Sequence, residues 1–199
     1  MKRVLVSLSG GVDSTHLCQM YLRNGYTVDA IYTELTNNEN KSLREKTAIS
    51  EITSHFKSKY GEYFNDLGYN LISLNSTPSS LCFIQVLPWL FTLVNTVKEY
   101  HSEVSIGYIQ NDDIIPWLPE IQKIWKSFNN ISTFKLPPLK FPLIKYNKNS
   151  LWDGLDSHLK TLVRWCETDT TNDKCGKCTP CKKMIYHNLM TNLIESDSK

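Results

Sequence analysis

Several features are scarce in this chain of 199 residues, and each scarcity argues against a class of protein. No apolar run approaches the roughly 20 residues that a membrane-spanning helix needs, so a role in a bilayer is not expected. An excess of one charge is also lacking, because 22 Lys and Arg residues against 20 Asp and Glu residues leave a net charge of only +2. This balance gives no reason to expect a nucleic-acid partner and favours small substrates. There is no internal repeat or low-complexity tract, and a single folded core is expected at this length.

Cysteines are few outside one short stretch. Of the six, Cys18 and Cys82 lie alone in apolar surroundings, and the other four crowd together near the C-terminal end of the sequence. This uneven pattern is unlike the disulfide framework of a secreted protein. It indicates a reducing compartment, and we expect a cytoplasmic protein.

Apolar runs of strand type and helix type alternate along the chain. The predicted strands cover residues 3–8, 26–35, 69–74, 103–109 and a proline-interrupted stretch at 133–144, and the helices between them cover 13–24, 42–59, 88–100 and 119–128. This alternation implies a mainly parallel sheet, because right-handed crossovers place helices on both of its faces. We therefore predict an α/β fold with a doubly wound five-stranded sheet in residues 1–150. Residues 151–199 are predicted to form a small helical segment packed on it as one structural unit.

The first motif is the run Ser9-Gly10-Gly11-Val12-Asp13-Ser14, between the first strand and the first helix. Glycines let the backbone come close to a ligand, and the first amides of a helix lack partners and carry the positive end of its dipole. These amides can converge on phosphate oxygens, and nearby hydroxyls add donors. The candidate cofactor-binding residues are Leu8, Ser9, Gly10, Gly11, Val12, Asp13, Ser14 and Thr15. The alternative is a structural glycine turn that Ser and Asp cap.

The same run lacks the lysine of the Walker pattern Gly-x-x-x-x-Gly-Lys-Ser/Thr, which disfavours γ-phosphate transfer of that class. Instead it resembles the PP-loop of the ATP pyrophosphatases. The resemblance implies that ATP is cleaved between its α- and β-phosphates, that AMP passes to the substrate, and that the loop holds the departing pyrophosphate. It also gives Asp13 a role in holding Mg²⁺, a hard cation that prefers carboxylate and phosphate oxygens.

The second motif is a cysteine cluster with the spacing Cys-x8-Cys-x2-Cys-x2-Cys, formed by Cys166, Cys175, Cys178 and Cys181. Four thiolates suit a tetrahedral Zn²⁺ ion and leave no open position for water or substrate, so we predict a structural zinc site. The ion would clip the polar loop at 167–174 onto the last helix. Disulfides, an iron–sulfur cluster and unpaired cysteines remain as alternatives. His187 is interpreted as a residue of the helix surface.

Together the two motifs resemble those of the 7-cyano-7-deazaguanine synthase family, and the likeness covers nearly the whole chain in order. Further matches are Ser105-Ile106-Gly107, Asp112-Asp113 and Pro142-Leu143-Ile144-Lys145. The resemblance implies an adenine nucleotide alpha hydrolase or HUP-like fold and a homodimer. It also implies a reaction: a carboxylate on a deazapurine is adenylated, ammonia converts the adenylate to an amide, and a second ATP drives dehydration to a nitrile.

Three residues besides the loop are candidates for the reaction. Lys145 is the candidate cation near the phosphates, so that Asp13, Lys145 and Asp112 form the predicted catalytic set. Asp113 is a further candidate for contacting substrate or metal. For Lys145 and the two acidic residues, the alternative is an ordinary solvated surface charge. Among the tryptophans, Trp117 is the candidate for a pocket residue.

The chain departs from the family pattern at two places. It carries Thr33-Glu34-Leu35-Thr36-Asn37-Asn38 where the family has an Asp-Tyr-Gly-Gln signature, and Ile114-Ile115-Pro116-Trp117-Leu118 where the family has a Tyr-Pro-Asp-Cys-Arg stretch. Both changes fall where a base-like substrate would be recognised, so they bear on the acceptor more than on the ATP chemistry. Two further hypotheses stay open: an adenylating enzyme with another acceptor (tRNA, a protein or a small acid), and a nucleotide-binding module without turnover.

Overall fold

The computed structural model describes residues 2–35, 39–72, 86–166 and 175–186. The strands are β1 (Arg3–Ser7), β2 (Thr27–Leu35), β3 (Phe64–Ile72), β4 (Glu103–Ser105) and β5 (Leu139–Lys140). The helices are α1 (Val12–Arg23), α2 (Glu39–Tyr60), α3 (Val86–Thr96), α4 (Leu118–Ile131), α5 (Lys148–Gly154), α6 (Ser157–Leu162) and α7 (Thr179–Tyr186). No described helix is both long enough and apolar enough to cross a membrane. Cys82, the stretch 167–174 and His187 lie outside the described residues.

The strands form one five-stranded sheet in the order β3-β2-β1-β4-β5, and every neighbouring pair is parallel. β1 is central because its apolar residues Val4, Leu5 and Val6 are fully buried and pack on both faces of the sheet. The predicted doubly wound α/β fold with five parallel strands is therefore confirmed.

Three of the strands differ from the prediction by more than one residue. β4 ends at Ser105, four residues before the predicted end at 109. β3 begins at Phe64, five residues before the predicted start at 69, because Asn65, Asp66 and Gly68 interrupt the apolar run on which the prediction relied. β5 is reduced to Leu139–Lys140 within the predicted stretch 133–144, where prolines remove the amide groups that a longer ladder needs.

One hydrophobic core lies on each face of the sheet. One core joins the sheet to α3 and α4 through residues such as Leu90, Leu93, Ile121 and Trp125. The other core combines α1 and α2 with the segment after residue 150, and it includes Leu17, Ile52, Leu151, Leu159, Cys181 and Met184. The C-terminal helices thus complete one face of the sheet, and the predicted boundary at 150 stays a prediction about domain organisation.

A buried carboxylate joins three elements at the amino ends of β1 and β2. Arg3 donates to both oxygens of Asp29 at 2.9 and 2.8 Å, Asn65 donates at 2.9 Å, and His101 Nε2 lies 3.0 Å away. Burial raises the pKa of Asp29, but the hydrogen bonds from His101, Arg3 and Asn65 outweigh it and hold the pKa below its ordinary value. This network fastens the end of the sheet that lies opposite the cleft described below.

The strand order reverses at β1, because α1 leads from β1 to β2 on one side and β4 lies on the other. In open parallel sheets, such a reversal leaves a crevice at the carboxyl ends of the two strands. The motif Ser9–Ser14 follows β1 directly and therefore lies in this crevice.

Candidate functional site

Gly10 shapes the loop between β1 and α1. Its φ of +74° lies in the left-handed region, which favours glycine. A Cβ at this position would lie 3.1 Å from Cβ of Ala48 and 3.4 Å from the carbonyl oxygen of Glu45, both on α2. The loop therefore turns sharply and packs directly against α2, and a side chain at residue 10 conflicts with both features.

Helix α1 begins in the cleft without a side-chain cap. Gly11 occupies the cap position with extended backbone, and the amides of Val12, Asp13 and Ser14 follow in the first turn. Gly107, just after β4, closes against this turn, because a Cβ there would lie 3.1 Å from the carbonyl carbon and oxygen of Asp13. The helix N-terminus thus offers backbone donors and positive potential to an anion in the crevice.

The hydroxyl groups of the loop support its shape. The Ser9 amide donates to Ser14 Oγ at 3.1 Å, the two serine hydroxyls are 3.1 Å apart, and Ser14 Oγ donates to the Gly11 carbonyl at 3.3 Å. Thr15 is fully buried, and its Oγ1 has no hydrogen-bond partner within the described part of the chain. Ser9 and Ser14 therefore hold the turn closed in this structure and can exchange these bonds for bonds to a ligand.

Asp13 forms an ion pair with a lysine that the sequence interpretation missed. Lys148 Nζ lies 2.5 Å from Asp13 Oδ2, and the other carboxylate oxygen, Oδ1, is buried with no hydrogen-bond partner in the described ranges. Lys145, the predicted cation, is exposed and does not line the cleft. The structure therefore brings Lys148, and not Lys145, to the start of α1.

Helix α5 brings Lys148 to this position. Asn147 caps α5 by accepting from the Ser150 amide at 2.9 Å, so the helix begins at Lys148. Buried Gln19 of α1 donates to the Gly154 carbonyl at 2.8 Å and holds α5 against α1. An asparagine three residues before Ser150 is a pattern that predicts a helix beginning at Lys148. This spacing is the sequence feature from which the position of Lys148 at a helix start could have been inferred.

The two acidic residues after β4 line the same cleft. Asp112 Oδ2 accepts from the Ile109 amide at 2.9 Å, so this carboxylate stabilises a turn as well as facing the cleft. Asp113 is exposed.

The tryptophan that lines the cleft is Trp89, and Trp117 does not line it. Trp117 is 52% exposed. Trp89 is stacked on Tyr108, with ring centroids 6.2 Å apart.

The cleft as a whole has a volume of about 570 Å³ and is bounded by the ends of β1, β2 and β4 and by the C-terminal segment. The predicted cofactor-binding residues that line it are Leu8, Ser9, Gly11, Val12, Asp13 and Ser14. Cationic side chains enter from three separate parts of the chain, namely Lys41 and Arg44 of α2, Lys148 of α5, and Arg164 after α6. Several cations that converge on a helix N-terminus suit a polyphosphate.

The four predicted metal ligands come together beside this cleft. The sulfur atoms of Cys166, Cys175, Cys178 and Cys181 all lie within 4.8 Å of one another. The Cys175 sulfur accepts from the amides of Lys177 and Cys178, each at 3.3 Å. Burial raises the pKa of Cys181 to about 12, so a thiolate at this position needs a cation beside it. A set of four sulfurs in this arrangement can bind a metal ion.

Comparison with known proteins agrees with this structure. No family model matches the chain. Curated 7-cyano-7-deazaguanine synthases from Campylobacter jejuni subsp. doylei and Campylobacter jejuni subsp. jejuni are each 22% identical to it, and the alignments cover 90% of this chain and 90% of each relative.

A solved structure of a 4-thiouridine synthetase in complex with RNA and ATP matches 98% of this chain and 51% of its own, with a TM-score of 0.50 and 13% identity. At this identity the match bears on the fold alone. The resemblance inferred from the two motifs is confirmed as a distant similarity: the chain is 22% identical to curated 7-cyano-7-deazaguanine synthases over 90% of its length, and it shares the fold of the 4-thiouridine synthetase structure.

Proposed function

We propose that this protein is an ATP-dependent ligase that adenylates 7-carboxy-7-deazaguanine and converts it with ammonia to 7-cyano-7-deazaguanine. The observation that carries the proposal is the Ser9–Ser14 turn at the strand-order reversal, where the start of α1, Asp13 and Lys148 meet in one cleft. The synthase relatives, aligned over 90% of the chain, support this choice of reaction.

In the proposed complex, the amides at the start of α1 and the loop backbone hold the β- and γ-phosphates of ATP. Asp13 suits Mg²⁺, because its buried Oδ1 has no hydrogen-bond partner among the described residues and a carboxylate oxygen is a preferred ligand of this ion. When bound, Mg²⁺ neutralises charge that builds up on the phosphates. Lys148 pairs with Asp13 in this structure and lies where the phosphate oxygens would arrive, so it is the proposed cationic contact to the leaving pyrophosphate.

Activation of the carboxylate explains why the reaction uses ATP. A carboxylate oxygen attacks the α-phosphorus, the bond to the pyrophosphate oxygen breaks, and an acyl adenylate forms. Ammonia then attacks the acyl carbon, loses a proton, and displaces AMP to give the amide. The amide oxygen attacks the α-phosphorus of a second ATP and displaces pyrophosphate. The nitrogen then releases two protons as the carbon–oxygen bond breaks, and AMP leaves with the former amide oxygen to give the nitrile. Hydrogen-bond donors that already point at the phosphates lower the barrier of each transfer, because the site does not have to reorganise during the reaction.

Zn²⁺ is the proposed metal of the cysteine cluster. Four sulfur ligands satisfy its tetrahedral preference and exclude water, which fits a structural role better than a catalytic one. Elemental analysis of protein purified without added metal tests this proposal, with about one zinc per chain expected if all four cysteines bind a single ion. About two to four irons per chain, together with inorganic sulfide, would instead indicate an iron–sulfur cluster.

A second candidate keeps the adenylation and changes the acceptor. The cleft is lined by Thr33 and Leu35 at the end of β2 and by Ile114 after β4, and these are the places where the chain departs from the pattern of the resembled family. A tRNA, a protein or another small acid would then take the place of the deazapurine. The homodimer and the cytoplasmic location stay predictions.

One assay separates these candidates. The protein is incubated with Mg-ATP, ammonium and 7-carboxy-7-deazaguanine, and AMP, pyrophosphate and the product mass are followed together. A product with the mass of the nitrile supports the proposed reaction. AMP formation only with another acceptor supports the second candidate, and tight ATP binding with no AMP from any acceptor identifies a binding module. The Asp13→Asn variant is the negative control for turnover.

A further inference from the structure

The segment Val163–Cys166 connects the phosphate loop to the cysteine cluster. The Arg164 amide donates to the Gly10 carbonyl at 3.0 Å, and the Arg164 carbonyl oxygen lies 3.7 Å from where a Cβ on Gly11 would stand. Two residues later, Cys166 supplies the first sulfur of the cluster. Val163 and Cys166 are both buried, which fixes this short segment at its two ends.

The part of the cluster on α7 lies beside the same cleft. Cys181 lies on α7 between Pro180 and Met184, which line the cleft, and both Cys181 and Met184 are fully buried. Cys166 itself also lines the cleft. The cluster therefore forms one wall of the candidate nucleotide site, and the two parts of the chain that build this wall meet at the four sulfurs.

Arg164 itself is one of the residues of this wall. Its Nη1 donates to the Thr161 carbonyl at 2.8 Å, which anchors the guanidinium at the end of α6, and the residue lines the cleft together with Ser9, Gly11 and Asp13. A guanidinium carries five N–H donors in a planar fork that matches phosphate oxygens. Its position next to the loop suits an interaction with the same phosphates that the start of α1 attracts.

We propose that Arg164 is a phosphate-binding residue presented by the cysteine cluster, so that metal binding to the cluster and nucleotide binding to the cleft are coupled. The inference rests on the proposed function, because the ligand is the ATP bound there. A metal that joins Cys166 to the cysteines of 175–181 holds the wall together and keeps Arg164 against Gly10. Because coupling is reciprocal, the nucleotide then tightens metal binding by the same factor as the metal tightens nucleotide binding.

The first experiment measures the binding of a non-hydrolysable Mg-ATP analogue by calorimetry to the zinc-loaded wild type and to Arg164→Gln. Loss of a charged phosphate contact weakens binding about ten- to hundredfold. Lys182→Gln is the matched control, because Lys182 is an exposed cation on α7, also next to a cysteine of the cluster, and does not line the cleft. Its affinity for the analogue should equal that of the wild type.

The second experiment measures Zn²⁺ affinity by competition with a chromogenic chelator, with and without the analogue. We expect the analogue to tighten Zn²⁺ binding about fivefold or more in the wild type and by less in Arg164→Gln. The measurement of Zn²⁺ affinity does not depend on catalytic turnover. The comparison with and without the analogue uses the wild type, so no substitution can impair folding. Equal Zn²⁺ affinity with and without the analogue overturns the proposed coupling.

The failures can be told apart. If the zinc-loaded wild type binds no analogue, both the proposed function and this inference are wrong. If the wild type binds it and Arg164→Gln binds it equally well, only the inference is overturned.

Discussion

Replacement of Gly10 by alanine tests whether the phosphate loop needs a glycine for two separate reasons. The first is its backbone conformation, with φ at +74°. The second is the close approach of α2, which places Ala48 Cβ 3.1 Å, Ile49 Cγ1 3.3 Å and the Glu45 carbonyl oxygen 3.4 Å from the new Cβ. One of these neighbours is backbone and another is a Cβ, so neither can rotate away.

Gly25 separates the two contributions. It has nearly the same φ, +75°, but a Cβ there would meet nothing within 4 Å. Gly25→Ala therefore carries only the conformational cost of about 1–2 kcal/mol, reduced by about 0.4–1 kcal/mol from the stiffer unfolded chain. Gly10→Ala carries the same terms plus overpacking of about 1–3 kcal/mol against α2. The difference between the two variants is thus expected to equal the overpacking term.

Urea denaturation of both variants and the wild type gives the free energies of unfolding, and calorimetry with the Mg-ATP analogue gives the affinities. We expect Gly10→Ala to lose more stability than Gly25→Ala and to bind the analogue more weakly, while Gly25→Ala binds it like the wild type. Equal losses of stability in the two variants would refute the close packing of the loop on α2.

Three further predictions follow from the contacts described above. Lys148→Met lowers the rate of AMP formation about tenfold or more, because the cation paired with Asp13 is lost. Lys145→Met, at an exposed position outside the cleft, leaves this rate unchanged. Equal effects of the two variants in the AMP assay contradict the assignment of Lys148. Asp29→Asn lowers the free energy of unfolding by about 3–5 kcal/mol at neutral pH. Because the folded-state pKa of Asp29 is depressed, its contribution is present above the unfolded pKa and is lost as pH falls through the folded value, so denaturation curves of wild type and variant should converge in acid. Cys178→Ser lowers the metal content per chain measured by elemental analysis, and Cys18→Ala, a buried cysteine outside the cluster, leaves it unchanged.

Local features of this protein could be predicted well from the sequence. The loop Ser9–Ser14 and the cysteine cluster are short runs whose chemistry depends on neighbours in the chain, and the alternation of strands and helices limits the sheet to a parallel arrangement. The prediction for β3 was less good, because Asn65, Asp66 and Gly68 break the apolar run in its first half. The tryptophan at the cleft was also assigned to the wrong residue: Trp89 of α3 lines it, and Trp117 does not.

A parallel five-stranded sheet, a glycine turn after its first strand and a set of four cysteines could all be inferred from the sequence, because each depends on residue order and on local backbone preference. Which lysine meets Asp13 and which arginine meets Gly10 became visible in the folded chain alone. Lys148 and Arg164 lie more than 130 residues along the chain from their partners, and their positions follow from how α5 and α6 pack on α1 and α2. Contacts of this kind depend on the shapes of buried surfaces, which no short pattern of residues encodes.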